Sequence, residues 1–327
     1  MKSHVYQIDR KPLAWAILQP ILWVCGFGLL LQAGARFGGL PLPSPTLDAD
    51  RTILVNKAVA SRAPGDAEVV LIGDSSCMMN VSAHGLEEAL PGRPQVLNLG
   101  TLSFLDLPTM ATLVRGCVAA NPRQLKTLVL LMHPEALRRL GPSEYHVEVL
   151  RHFLSGSDFC SPIGFRPICW LGREVFHGRI WSRFVPNPIL GNLSVRYRFT
   201  SDLDWELRRE AGSLIDPGVF DAGAARGSSE YRLANNLESA CGIFKSAVPD
   251  GVRLVVGITP VPEGFVAPDF AATHARMLAQ LARWLEADAS LDSLPATLPD
   301  SAFASVTHLN EVARETYTAA LARALAE

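Results

Sequence analysis

From residue 68 onward, short runs of apolar residues alternate with longer segments whose apolar positions recur at helical spacing. Short apolar runs bounded by turn residues are typical of buried strands, and the longer segments are typical of helices packed on a sheet. This alternation predicts an α/β fold in which a parallel sheet is covered by helices on both faces. The predicted strands are 68–72, 96–99, 125–132 and 253–258, and the predicted helices are 82–90, 107–120, 229–248, 269–288 and 309–326.

Residues 140–228 interrupt this alternation with many prolines and aromatic residues. We interpret the stretch as a long insertion between the third strand and the helix predicted at 229–248. An insertion among the loops of an α/β sheet is a natural place for substrate recognition. Its aromatic side chains could stack on sugar rings or form the core of the insertion itself.

The N-terminal part contains a long uncharged segment at residues 12–35. As a helix it would extend roughly 36 Å, enough to cross a hydrocarbon core of about 30 Å. Two alternatives are a buried core helix and a cleaved signal peptide, the latter because Ala33-Gly34-Ala35 matches a small-residue cleavage pattern. We favour a transmembrane anchor.

Positive charges before the anchor predict its orientation. Lys2, Arg10 and Lys11 precede it, which places residues 1–11 in the cytoplasm. Residues 36–66, rich in proline, glycine and alanine, are interpreted as a stalk, and residues 67–327 as a domain with the insertion at 140–228. The predicted location is a bacterial inner membrane, with this domain in the periplasm.

Composition excludes several classes of protein. The chain has 30 Lys and Arg against 32 Asp and Glu, a balance that argues against a nucleic-acid binder. Hydrophobic residues make up 48% and charged residues 19%, which excludes a disordered chain. No CxxC or HExxH pattern occurs, so neither a metal nor another cofactor is predicted. Cys160 and Cys169 could pair in an oxidising compartment or remain free thiols.

The first candidate for chemistry is the Gly-Asp-Ser-Ser sequence that follows the first predicted strand. Ligands of open α/β sheets bind beyond the carboxyl ends of the strands, so the hydroxyl of Ser75 could face a crevice there. Asp74 would stabilise the turn more readily than act as a base, and Cys77 is interpreted as a packed thiol. The alternative is that the motif is only a turn and a helix N-cap.

Two further positions fit the same site. Gly100 directly follows the second predicted strand, so its N–H could stabilise an oxyanion, although glycines end many strands. His308, in Thr307-His308-Leu309-Asn310, precedes the last predicted helix and could serve Ser75 as a general base. A single histidine is also often structural.

Together these motifs resemble the SGNH/GDSL hydrolase superfamily, over about residues 66–135 and 250–325. Three further features resemble a subgroup of this superfamily: the anchor, the ending His-Leu-Asn, and a Met-Asn-Val segment at 79–81 followed by Leu-Glu-Glu-Ala-Leu at 86–90. That subgroup comprises membrane-anchored SGNH-like proteins that work beside membrane-bound O-acyltransferases in alginate and cell-wall O-acetylation and teichoic acid D-alanylation. The resemblance implies a flavodoxin-type sheet and acyl transfer through an acyl-serine to water or a sugar hydroxyl. Ser75 matches the nucleophile, its N–H and that of Gly100 match oxyanion donors, and His308 matches the base.

The sequence departs from the family pattern at two functional positions. The acid three residues before the histidine is Ser305 here, and Asp300 or a residue from elsewhere in the chain could substitute for it. After the third strand, the family's Gly-x-Asn-Asp is replaced by Met132-His133-Pro134-Glu135, so an asparagine oxyanion donor is not assigned. His133 could face the site, with a structural role or a substrate contact as equal alternatives.

The leading hypothesis is a membrane-anchored acyltransferase or esterase that modifies an extracytoplasmic polysaccharide, with acyl groups delivered by a membrane-bound O-acyltransferase. The alternative is a non-catalytic scaffold or glycan-binding subunit of a polysaccharide modification or secretion complex, which the missing acid and the missing asparagine after the third strand favour. A lipase or esterase that releases acyl groups into water is a third hypothesis.

Overall fold

The structure, a computed structural model, describes residues 15–16, 18–27, 30, 49–63, 65–139, 141–154, 202–221 and 231–327. The chain divides into two compact units. One comprises Met1–Pro45 and Phe159–Ser194, of which the described residues are helical. The other comprises Thr46–Asp158 and Val195–Glu327 and contains the sheet and the candidate site.

The predicted transmembrane anchor at 12–35 is described only in part, with helix at 18–27. Within the described ranges, no helix combines the length and the apolar character needed to cross a bilayer. The anchor therefore stays a prediction.

A five-stranded parallel sheet forms the centre of the second unit. Its strands are β1 (Val69–Gly73), β2 (Val96–Asn98), β3 (Thr127–Met132), β4 (Arg253–Ile258) and β6 (Ala289–Ser290), in the order β2-β1-β3-β4-β6. This order is consistent with a flavodoxin-like fold. A separate parallel pair is made by β5 (Val261–Pro262) and β7 (Thr297–Leu298).

Helices flank the sheet, so the predicted α/β class is confirmed. The described helices are α1 (Ala49–Ala60), α2 (Ser75–Asn80), α3 (Ala83–Ala89), α4 (Leu107–Ala120), α5 (Pro134–Leu137), α6 (Glu144–Leu154), α7 (202–209), α8 (Leu237–Lys245), α9 (Phe270–Leu285) and α10 (Glu311–Ala326). Short 3₁₀ turns lie at Glu263–Phe265 and Asp300–Ala302.

Alternate residues of the strands feed two separate hydrophobic cores. Val70 and Ile72 of β1 join the cluster that includes α1, α4, α8 and α9, whereas Val69 and Leu71 join the cluster with α3 and α10. Side chains of a strand alternate between faces, so a strand covered on both sides is apolar throughout. This explains why the continuous apolar runs were recognisable as buried strands.

Helix α1 corrects the interpretation of residues 36–66 as a stalk. It lies inside that stretch, and its Ile53, Leu54 and Ala58 are buried in the core. The helix predicted at 229–248 is also shorter, at Leu237–Lys245. Of the insertion, α6, α7 and residues 210–221 are described, whereas Cys160, Cys169 and most of its aromatic residues lie outside the described residues.

Candidate active site

Ser75 lies at the carboxyl end of β1, as the first residue of α2. Strands β2 and β3 pair with β1 on its two opposite sides, so the strand order reverses at β1. Ligands of such sheets bind beyond the carboxyl ends of the strands at this reversal. Gly73 is needed just before it, because a Cβ there would lie 1.8 Å from the carbonyl oxygen of Leu131. The turn is therefore packed directly against β3, and the Ser75 side chain stays partly exposed.

His308 contacts Ser75, as the sequence predicted. Its Nε2 lies 2.9 Å from the Ser75 Oγ. The segment around it is held by Asn80 of α2, whose Oδ1 accepts from the Leu309 N–H at 2.8 Å and whose amide donates to the carbonyl of Thr307 at 3.3 Å. The helix that begins with Ser75 thus also holds His308 in place. The sequence motif Met-Asn-Val contained Asn80 but did not indicate this role.

The carboxylate partner of His308 is Asp216, which the sequence did not single out. Its Oδ2 lies 2.7 Å from the Nδ1 of His308, and its Oδ1 accepts from the Gly218 N–H at 2.8 Å. A carboxylate can only accept, so the His308 Nδ1 carries the proton and Nε2 is free to accept from the Ser75 hydroxyl. The geometry is that of a Ser-His-Asp triad. Asp216 belongs to the insertion, where an Asp-Pro-Gly sequence reads as an ordinary turn.

The hydrogen bond to His308 is the main reason that the pKa of the Asp216 carboxyl is lowered to about 2, and burial opposes it. The buried hydroxyl of Ser305 lies beside this carboxylate. It makes no regular hydrogen bond to a described residue, yet it also helps to lower the pKa of Asp216. Asp216 is therefore ionised at neutral pH, as an orienting acid must be.

Of the two alternatives for the missing acid, Asp300 is wrong, and a residue from elsewhere in the chain, Asp216, is found beside His308. The Asp300 carboxylate accepts from the Gly264 N–H at 2.8 Å and so stabilises the turn after β5. Ser305, the position of the acid in the family that the sequence resembles, lies next to Asp216 instead of replacing it. The acid therefore contacts the histidine, as the family pattern implies, but it comes from the insertion and not from the segment just before His308.

Asp74 stabilises the turn that carries Ser75. Its buried carboxylate accepts from the Ser76 N–H at 2.9 Å, from the Ser76 hydroxyl at 2.6 Å and from the His133 N–H at 2.9 Å. Thr259, just after β4, in turn donates to the Ser76 hydroxyl at 2.9 Å. Burial raises the pKa of Asp74. The carboxylate thus joins the ends of β1 and β3 directly, and it reaches the end of β4 through the Ser76 hydroxyl, whereas the Ser75 hydroxyl bonds to His308.

The N–H of Gly100, which the sequence predicts as an oxyanion donor, already has an acceptor in the structure. It donates to the Oδ1 of Asn98 at 2.8 Å, so it is already engaged. Glycine is required there for packing, since a Cβ would lie 2.6 Å from the backbone nitrogen of Met78 in α2. The N–H of Ser75 differs, because the first residue of a helix has no acceptor within the helix.

His133 caps α5 with one ring nitrogen, and its other ring nitrogen has no hydrogen-bond partner among the described residues. Its Nδ1 accepts from the Glu135 N–H at 3.2 Å, so in the neutral ring Nε2 carries the proton. That Nε2 is buried without a hydrogen-bond partner among the described residues. Burial lowers the pKa of His133 to about 3, with nearby His308 as the second cause. His133 therefore offers a neutral, unpaired N–H beside the turn that carries Ser75.

The low pKa of His133 predicts a loss of stability in acid. Between about pH 6.5 and pH 3 the unfolded chain binds a proton at this residue and the folded chain does not, so the free energy of unfolding falls as the pH falls. Replacing His133 by asparagine, which can still cap α5, should flatten this dependence. Thermal unfolding midpoints across the pH range measure it. The same change at exposed His84 is the control, and an equally steep curve for both variants would contradict the assignment.

Cys77 is buried, its Sγ lies 3.7 Å from the Oδ1 of Asn98, and burial raises the pKa of its thiol. It is a packed thiol, as predicted, and does not compete with Ser75. In the described part of the chain, no group of three or more His, Cys, Asp and Glu side chains is arranged to hold a metal ion.

Comparison with known protein families finds no family model that matches the chain. Comparison with curated proteins also finds no match.

Proposed function

We propose that this protein is an SGNH-like acyltransferase or esterase that works through an acyl-serine on Ser75. The single observation that supports this most strongly is the continuous chain of hydrogen bonds from Ser75 through His308 to Asp216. Serine hydroxyls are weak nucleophiles unless a neighbouring base removes the proton and a third group orients that base. These three residues have those positions.

The mechanism follows from the two distances. His308 would accept the Ser75 proton on Nε2 as the oxygen attacks an acyl carbonyl, and Asp216 would stabilise the imidazolium from the Nδ1 side. His308 would then protonate the leaving group. In the second half, a sugar hydroxyl or water would give its proton to His308 and take the acyl group from Ser75.

The oxyanion would be stabilised by the Ser75 N–H together with the Nε2–H of His133. Both donors lie at the carboxyl end of the sheet, one on α2 and one directly after β3. Nε2 is shielded from solvent, so an acyl oxygen would reach it only after a side chain at the site moves. This assignment replaces Gly100, whose N–H is engaged by Asn98.

Replacing His133 by leucine tests this donor. We expect kcat for ester cleavage to fall about 100-fold with little change in KM, because an oxyanion donor acts mainly on the transition state. His133→Asn, which retains an amide donor and a helix cap, should lose less. Equal kcat in both variants and the unmodified protein would remove His133 from the mechanism.

The acceptor and the location are the broader part of the proposal. An uncharged segment at 12–35 supports a membrane anchor, and the resemblance to membrane-anchored SGNH-like proteins supports a periplasmic polysaccharide as acceptor and a membrane-bound O-acyltransferase as partner. The acyl group is most simply acetyl.

The alternative remains a non-catalytic scaffold or glycan-binding subunit of a polysaccharide modification complex. Two departures from the family pattern favour it: the acid missing before His308 and the asparagine missing after the third strand. Asp216 removes the first of these two grounds, and the second stands. The hydrogen bond between the Gly100 N–H and Asn98 also favours the scaffold, because this N–H is then not available to an oxyanion.

Incubation of the full chain with an activated acetyl ester separates the two. An enzyme should show ester turnover and an added acetyl group that peptide mapping places on Ser75. A folded protein that shows neither would support the scaffold.

A further inference from the structure

Lys57 is a fully buried lysine that the proposed mechanism does not use. It lies on α1, near the C-terminal end of that helix. Its amine donates to the carbonyl oxygen of Asn98 at 2.9 Å and to the carbonyl oxygen of Gly212. Lysine is almost never fully buried without such partners, because removing the amine from water is costly.

The two carbonyls belong to segments that are far apart in the sequence. Asn98 ends β2, next to the site, and Gly212 lies in a turn after α7. We call residues 211–214 the docked turn. Two residues beyond it the chain reaches Asp216. The position of the docked turn therefore determines where the carboxylate of the triad lies.

Other hydrogen bonds hold the docked turn against β2 and the helices that follow β1. The Asn98 N–H donates to the carbonyl of Ala211 at 2.9 Å, and the Leu214 N–H donates to the carbonyl of Met78 at 3.1 Å. The hydroxyl of Ser213 accepts from the Asn98 side-chain amide at 3.1 Å. These contacts place the turn, and the amine of Lys57 is the group that joins its carbonyl to that of β2.

Gly212 approaches Asn98 more closely than any other residue type could. Its φ is +91°, and a Cβ there would lie 2.0 Å from the carbonyl oxygen of Asn98. The carbonyls of Asn98 and Gly212 thus converge on one amine. Without that amine, two buried carbonyl oxygens would be left without this donor, and unpaired buried acceptors favour separation of the segments.

We propose that Lys57 is a positioning residue for the proposed active site: by joining Asn98 to Gly212, its amine holds the docked turn in place and so sets Asp216 against His308. The inference rests on the proposed function for its effect on turnover, but its structural part does not. The contact gives α1 a part in organising a site that it does not touch.

The bridge does not depend on the charge of the amine. Burial lowers the pKa of Lys57 to about 7, and the facing thiol of Cys77 opposes this shift. A neutral amine still has two N–H donors, one for each carbonyl. The role is therefore positioning through hydrogen bonds and not a pH switch.

The first test replaces Lys57 by methionine in the full chain. We expect kcat for ester cleavage to fall about 100-fold with KM little changed, because small displacements of a catalytic constellation have effects of this size. In an Asp216→Asn background the same change should have almost no further effect, since the group it positions is already lost. Equal losses in both backgrounds, or no loss in either, would overturn the proposal.

A spectroscopic measurement tests the positioning without any turnover. The proton on the His308 Nδ1 should give a downfield NMR signal while Asp216 holds it, and His308→Gln identifies that signal by its loss. We expect Lys57→Met to weaken or abolish the signal. If the unmodified protein shows the signal but cleaves no ester, the proposed function fails and the positioning of Asp216 is still decided by the Lys57 variant. An undiminished signal in Lys57→Met contradicts the inference.

Gly212→Ala provides a second variant should Lys57→Met fail to fold. Its Cβ would push the docked turn away from Asn98, so it should reproduce the loss of the NMR signal and of turnover. Gly92→Ala is the matched control, because Gly92 has a similar φ of +79° but open space around its Cβ position. A Gly212→Ala protein that resembles the Gly92→Ala control in both measurements would overturn the role of the docked turn.

Discussion

Replacement of Ser75 by alanine is expected to lower kcat for ester cleavage by about a millionfold and to abolish the acetyl adduct. Loss of the nucleophile in a serine triad has this effect, because the base and the acid have no function without it. The Ser75 side chain is partly exposed, and its hydroxyl contacts His308. The fold should therefore persist, which circular dichroism and the thermal midpoint would verify.

Ser76→Ala is the matched control for this prediction. The Ser76 hydroxyl is hydrogen-bonded to Asp74 and Thr259, whereas His308 is hydrogen-bonded to Ser75. This variant should therefore still form the adduct on Ser75, with a modest loss of stability. Under the proposed function, Ser75→Ala should also abolish acylation of the proposed polysaccharide acceptor. Full activity of the Ser75→Ala protein would refute the proposed mechanism.

Replacement of Asp216 by asparagine is expected to lower kcat about 10⁴-fold while the protein remains folded. The amide is nearly isosteric, but it can donate to the Nδ1 of His308, which favours the tautomer with its proton on Nε2. That tautomer cannot accept from the Ser75 hydroxyl. The measurement is kcat and KM for an activated acetyl ester, with the thermal midpoint as a check on folding.

The position of Ser305 allows a sharper test. It lies beside Asp216, and its backbone N–H bonds to the carbonyl of His308 at 3.3 Å. In the double variant Asp216→Ser with Ser305→Asp, a carboxylate returns to the vicinity of His308. We therefore expect its kcat to be at least about tenfold higher than that of Asp216→Ser alone, because loss of the acid lowers kcat by a far larger factor. Asp300→Asn is the control and should leave kcat nearly unchanged, because Asp300 bonds to Gly264. Unchanged kcat in Asp216→Asn would mean that this carboxylate does not orient the base.

Local pattern predicted four of the five strands of the sheet and five of the ten helices α1–α10. Helix α4 and strand β4 have the bounds that the sequence predicted, because apolar periodicity is a property of neighbouring residues. The two-residue strand β6 was missed, since so short a segment has no period to detect. Helix α1 was missed because nearby prolines and glycines suggested a linker, and only its packing in the core gives it a partner.

The candidate site also has features that local pattern predicted and features that it did not. Ser75 follows directly from its strand, and His308 lies beside it at 2.9 Å, both as expected from motifs placed at the carboxyl edge of a parallel sheet. Gly100 also lies at that edge. The direction of its N–H, however, depends on the Asn98 side chain, and a direction of this kind is not encoded in a strand-end glycine.

The sequence by itself determined the parallel sheet, the edge at which the site lies, and two of its three central side chains. Tertiary structure alone decided the acid. Asp216 is separated from His308 by 92 residues, and a hydrogen bond between them depends on how the insertion docks, which no local pattern records. Lys57 shows the same limit, because its burial becomes visible only when β2 and the docked turn meet around its amine. Periodicity and turn chemistry act between neighbours in the chain, whereas a catalytic carboxylate needs only to be near in space.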